Sequence, residues 1–318
     1  MRRCAGWLVP ILAFAASSHA QDLRRVVSIR TAARISQMSL CGESGLAAGL
    51  GASGAVYVWR LPSGETLSNR PAEDGVTALA CSPDGKWLGI GKRDGSVVIA
   101  DISGKSARTL AVATRRINYL EFSPDGSLLA ARVSDAPAQL WNPAEGTLVG
   151  ELKSDFGGNW GVAFSPDSSL LATANGDTSI RIYDRNAKLK ATYTGFLLEP
   201  FAISFMPDGK QIVVGGADCM LTILDASDAH VVRQLAKQTD PIFAVAGLPD
   251  SRRVWSFHVD ALSLKKYTAL VWDLQSGEPR ELPVDGDHIV GFGTTAGSKY
   301  VLFTVDSDSV LTAWVFPN

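Results

Sequence analysis

From residue 23 onward, short apolar runs alternate with polar turns, and the same turn is written again and again. Ala78-Leu79-Ala80 precedes Ser82-Pro83-Asp84-Gly85, and Trp87-Leu88-Gly89-Ile90 follows it. Proline sets φ and Asp-Gly closes a tight turn, so such a unit predicts a β-hairpin. The turn returns as Ser123-Pro124-Asp125-Gly126, Ser165-Pro166-Asp167-Ser168, Pro207-Asp208-Gly209 and Pro249-Asp250-Ser251, with prolines 41, 42, 41 and 42 residues apart.

A second register lies about seventeen residues past each turn, where a β-rich stretch ends in Val58-Trp59-Arg60, Ile99-Ala100-Asp101, Leu140-Trp141-Asn142, Ile182-Tyr183-Asp184, Ile223-Leu224-Asp225, Val271-Trp272-Asp273 and Ala313-Trp314-Val315. The central residues step by 41, 41, 42, 41, 48 and 42, which makes seven units. A second turn at Asp94-Gly95, Asp135-Ala136, Asp177-Thr178, Asp218-Cys219 and Asp308-Ser309, and a third at Ser63-Gly64, Ser103-Gly104 and Ser276-Gly277, divide each unit into four strands. Four-stranded sheets of this kind bury their faces only against their neighbours, so the pattern predicts a closed ring. The fold class is therefore all-β: a seven-bladed β-propeller of four-stranded antiparallel blades.

The chain stops just after the third strand of unit seven. Arg24-Arg25-Val26-Val27-Ser28-Ile29 precedes the first strand of unit one and is expected as the outer strand of blade seven, closing the ring and removing an exposed edge. The long step of 48 comes from residues 259–268, which contain Lys265-Lys266-Tyr267 and read as a solvated hairpin extension in blade six.

Period and terminal Trp-Asp pair resemble the WD-repeat (WD40-like) family, in the manner of a bacterial exported member, over essentially residues 23–318. Trp272-Asp273 is the one complete Trp-Asp pair, and the Gly-His that opens a typical repeat is absent, His288 being the sole loosely comparable histidine. The resemblance implies an interaction scaffold, while these departures leave its hydrogen-bonded tetrad open.

The first residues change the picture of where the protein works. Arg2-Arg3, the apolar run Trp7 to Ala16 and the small residues of Ser18-His19-Ala20 read as a signal peptide over 1–20, cleaved after Ala20. The run is roughly half the length of a spanning helix, and no later segment could cross a bilayer as a helix. The expected mature domain is 21–318, periplasmic or secreted, a monomer on its own and without an integral membrane segment. Cleavage removes two arginines and no acid, leaving 28 basic against 32 acidic residues, net −4, which argues against nucleic acid as a partner. The mature cysteines are Cys41, Cys81 and Cys219, an odd number that cannot form a complete disulfide framework. They are expected as small buried hydrophobes, with a Cys41–Cys81 bridge the minor alternative.

Candidate chemistry is sparse. His230, His258 and His288 fall in different repeats without metal-ligand spacing, and no catalytic elbow, phosphate loop or calcium loop occurs, so neither cofactor nor metal is expected. The second-turn aspartates are read as bonding their own backbone. The inner strands read as mostly apolar, with Asn118 and His288 the polar candidates for the axis, so an enzyme is not expected. The alternative is a propeller hydrolase or lyase acting on a small ligand in the central channel.

The remaining signal is the face carrying the loops that lead into each inner strand. It offers Arg115, Arg116 and Arg132 around blade three, near Lys92 and Arg93, then Phe156, Asn159 and Trp160, then Phe196, Leu197 and Leu198. Large apolar residues and arginines in loops have the composition of binding hot spots, so a protein or peptide partner is expected there. The opposed reading has Trp160 and Phe196 tucked between blades as packing.

Overall fold

The Ser-Pro-Asp turns fold as their chemistry dictates. In the computed structural model, which describes residues 24–112, 115–235, 238–260, 267–282, 288–295 and 299–315, Ser82 Oγ donates to Asp84 Oδ1 at 2.6 Å and accepts the Trp87 N–H at 3.0 Å. Ser123 with Asp125 and Ser165 with Asp167 repeat the 2.6 Å bond, so one side chain ties both arms of each hairpin.

Among the described residues the strands form seven four-stranded antiparallel sheets. Six of them take their four strands in chain order, from the axis outward. Their inner strands are Ile35–Leu40, Val76–Cys81, Ile117–Phe122, Asn159–Phe164, Pro200–Phe205 and Ile242–Gly247, for blades one to six. Blade seven has His288–Thr295 innermost and Arg24–Arg30 outermost. Arg24–Arg30 pairs antiparallel with Val310–Val315 from Arg24 opposite Val315 to Arg30 opposite Val310, so the first described strand closes the ring as expected. In blade six, strands Arg253–Val259 and Tyr267–Asp273 stay paired out to Val259 opposite Tyr267, which makes the insertion a longer hairpin. Residues 261–266 at its tip, with Lys265 and Lys266, lie outside the described residues.

The apolar core is seven separate clusters, each shared by two adjacent blades. Ile35, Tyr57 and Trp59 of blade one meet Val301, Phe303 and Leu311 of blade seven, so the closing junction is packed like the rest. Burying such side chains contributes about 1.5–3 kcal/mol each, and every blade draws on two neighbours for it. The central register residues Trp59 and Trp272 are fully buried at equivalent places, opposite Ala47 and Val254.

The cysteines depart from expectation. Cys41 and Cys81 are joined in a disulfide with Cα atoms 4.9 Å apart, and Cys219 is buried and takes no part in it. An odd count excludes a complete set of pairs but not one pair. Cys81 ends the inner strand of blade two and Cys41 follows that of blade one.

Candidate functional site

Every inner strand carries a β-bulge at the same place. The register slips between Ile35 and Gln37, Val76 and Ala78, Ile117 and Tyr119, Asn159 and Gly161, Pro200 and Ala202, Ile242 and Ala244, and Ile289 and Gly291. The extra residues are Ser36, Thr77, Asn118, Trp160, Phe201, Phe243 and Val290. A bulge leaves one residue outside the ladder and re-aims it, and here it does so where each inner strand begins, on the face of the lead-in loops.

This ring has two halves. Blades one to three contribute Ser36, Thr77 and Asn118, while blades four to six contribute three aromatics in a row. Trp160 meets Phe201 edge-on at 5.9 Å, and Phe201 stacks on Phe243 at 5.1 Å. Trp160 is 45% and Phe243 47% exposed, so Trp160 is not tucked away between blades. Phe156 and Leu197 on the loops of the same face are 77% and 91% exposed, and Leu198 is half-exposed.

The other predicted residues divide between surface and support. Arg115 and Arg116 are exposed, Arg115 reaching the Asp135 carbonyl at 3.4 Å. Arg132 donates to the Trp160 carbonyl and lies 5.7 Å from the centroid of the Tyr119 ring, clamping blade three to blade four. Asn159 is buried, its Oδ1 accepting the Ala138 N–H at 2.6 Å and its Nδ2 donating to Asn175 at 2.6 Å. Phe196 is buried against Tyr193, rings edge-on at 5.2 Å. These two residues hold the loops rather than offer surface, because each has its partner within its own blade or the next. Phe201 and Phe243 escaped the sequence reading because they lie inside strands, where alternation assigns them to packing.

The axial channel has a volume of about 750 Å³ and is more polar than the inner strands suggested. Ser36, Gln37, Thr77, Arg116, Asn118, Tyr119, Glu121 and Ser204 line it. His288 opens its inner strand, but its side chain lies outside the described residues. Much of this polarity is spent on joining blades. Gln37 Nε2 donates to the Leu79 carbonyl and Oε1 accepts the Leu79 N–H, both at 3.0 Å; Ser39 Oγ accepts the Cys81 N–H at 2.9 Å; Thr77 Oγ1 donates to the Ile117 carbonyl at 2.6 Å. Glu121 differs. The surrounding protein pushes its carboxyl up to about 7 by desolvation, against the opposing bonds from the Phe164 backbone and the Tyr119 hydroxyl, the latter at 3.5 Å. The Glu121 charge in turn raises the Tyr119 phenol.

Blade six contains a hydrogen-bonded chain that the missing Gly-His left open. Trp272 Nε1 donates to Ser256 Oγ at 2.7 Å, Ser256 Oγ lies 2.8 Å from His258 Nε2, and His258 Nδ1 lies 3.3 Å from the Asp240 carbonyl. A carbonyl only accepts, which assigns the proton to Nδ1 and makes Ser256 the donor to Nε2. Burial lowers the His258 pKa, consistent with this neutral tautomer. The histidine comes from the second strand rather than a leading loop, so no Gly-His signature marks it.

Three of the five second-turn aspartates, Asp94, Asp177 and Asp218, accept the N–H two residues on, from Ser96, Ser179 and Met220. Asp225, Asp228 and His230 bring ligand atoms within 4.8 Å of one another on the third turn of blade five, and local bonds account for them. Asp225 Oδ1 accepts from Ser227 at 2.5 Å and Asp228 Oδ1 lies 2.6 Å from His230 Nδ1. No helix among the described residues is long and apolar enough to cross a membrane.

Comparison with known proteins agrees with this geometry. The family described as "WD domain, G-beta repeat" matches residues 64–101 and 150–184. An uncharacterized WD repeat-containing protein of Synechocystis is 29% identical over 44% of this chain and 41% of its own length. Actin-interacting protein 1-2 of Arabidopsis thaliana is 30% identical over 54% of this chain and 29% of its own, and periodic tryptophan protein 2 of the same plant is 26% identical over 80% and 27%. The chain thus spans less than half the length of these relatives. Matched repeats, seven interlocked sheets and the closing strand agree: this chain folds as a WD40-like seven-bladed β-propeller.

Proposed function

We propose that this chain is an exported scaffold whose lead-in face, centred on blades three to six, holds a protein or peptide partner. The observation that carries the reading is the arc Trp160–Phe201–Phe243, three aromatics in contact of which the two end rings, Trp160 and Phe243, are half-exposed beside Phe156, Leu197 and Leu198. Aromatic side chains in a cluster of this kind supply most of the energy in protein interfaces, and monomers seldom leave such patches bare without use. Arg115 and Arg116 flank the arc on blade three and supply charged contacts at its rim. A general interaction role suits a WD40-like propeller, and one relative is named for interacting with actin.

Export is supported by the leader pattern in residues 1–20 and by the Cys41–Cys81 disulfide, a bond that persists in oxidising compartments and is rare in the cytosol. Affinity capture from envelope extract tests the scaffold reading, comparing the parent with Trp160→Ala/Phe243→Ala and with Trp87→Ala on the opposite, Ser-Pro-Asp face. A partner retained by Trp87→Ala and lost by the double variant is the expected result. Equal capture by all three would place the contact elsewhere.

A further inference from the structure

Glu121 stands alone in its layer of the ring. Register places it level with Ser39, Ala80, Ala163, Ser204, Ala246 and Gly293 on the other six inner strands, all of them small. Of these, Ala163, Ser204 and Ala246 line the channel with it. A single carboxyl therefore projects into a layer that the rest of the ring leaves open, three residues or about 10 Å below the bulge ring.

No cation among the described residues pairs with it. Among the described residues the charged or titratable groups facing Glu121 are Tyr119 on its own strand, Arg132 behind that ring, and Arg116 at the channel mouth. Neither arginine forms an ion pair with Glu121, and Arg132 is engaged by the Trp160 carbonyl and the Tyr119 ring. The neighbouring inner strands present Ala80 and Ala163 at this level. A carboxylate has acceptor sites for about four donors, and the Phe164 amide and Tyr119 hydroxyl occupy two.

We infer that the axial channel is a binding site for one primary ammonium group, of the kind a lysine side chain carries, seated against the Glu121 carboxylate in this layer of small residues. A desolvated carboxylate without a counter-charge is costly, and an ammonium ion supplies the missing charge together with donors for its remaining lone pairs. The ammonium competes with a proton for the same oxygens, so binding weakens as pH falls through the range in which Glu121 is protonated. The site lies inside the ring and stands independently of partner docking on the lead-in face.

Isothermal titration of the purified mature protein at pH 8 tests it, with Nα-acetyl-lysine methylamide as the charged probe and its Nε-acetylated form as the neutral one. Saturable binding of the charged probe, about tenfold or more weaker for the neutral probe, is expected. Glu121→Gln, which removes the charge, and Ser204→Leu, which fills the layer and keeps the acid, should each lose about tenfold or more. Binding at pH 6 should be weaker than at pH 8. Equal affinity for both probes, unchanged affinity in Glu121→Gln, or no saturable binding at pH 8 would each overturn the site.

Discussion

Phe201 and Phe243 stack with centroids 5.1 Å apart and planes 20° from parallel, although they belong to different blades. The stack exists because both occupy the bulge of an inner strand, and neighbouring inner strands run side by side around the axis. Phe243 is half-exposed, so truncating it removes little buried area. Phe243→Ala should cost about 1 kcal/mol, the worth of one aromatic pair, and shift the melting temperature by only a few degrees. A loss several times larger in chemical denaturation would show that the arc is packing rather than surface.

Glu121 gives the fold an acid-side gain. Its folded pKa of about 7 lies above the ordinary carboxyl value of 4.5, so the folded state binds a proton more readily. The Glu121 contribution to stability therefore rises as pH falls from about 7 to about 4.5 and is lowest above 7, where the desolvated group is charged. Glu121→Gln should stabilise the protein by roughly 1–3 kcal/mol at pH 8 and by almost nothing at pH 4.5. Urea denaturation at both values checks the difference, and a gain that does not change with pH would contradict the assignment.

His258 acts in the opposite direction. Its folded pKa is lowered, so its contribution is complete above the ordinary value of about 6.5 and declines as pH falls below it. Replacing it with glutamine should flatten that decline, which separates its effect from that of Glu121 over the shared range. Ser256→Ala strands the buried Trp272 N–H and His258 Nε2 at once and should cost about 2–4 kcal/mol, read from chemical denaturation at pH 7.5.

The bond between Cys41 and Cys81 closes a loop across 40 residues. Constraint of the unfolded chain by a loop of that length contributes about 2–4 kcal/mol. Unfolded mature protein should titrate one thiol without reductant and three with it, and Cys41→Ser/Cys81→Ser should melt at a lower temperature. Three thiols in the unreduced protein would show that the bridge does not form.

The ring was legible because turn chemistry is local: Pro-Asp-Gly and a recurring Trp or Tyr fix the period without knowledge of any partner strand. Arg24 to Ile29 could be placed in blade seven by exclusion, since no other sheet lacked a strand. The bulges were not legible, because a register slip is a property of two strands, and Trp160, Phe201 and Phe243 carry no local mark of it. Glu121 carries no local mark either; its character comes from six small residues supplied by distant repeats. Asn159 and Phe196 show the converse, residues expected on the surface that are buried against Asn175 and Tyr193.

Docking on the lead-in face is tested most directly by site-specific photocrosslinking in the envelope, with a photoreactive phenylalanine at position 243 or, in a second protein, at position 87. A discrete covalent adduct from position 243, absent from 87 and lost when Trp160 is also alanine, is the predicted result. Adducts from position 87 alone would contradict it and move the partner to the opposite face.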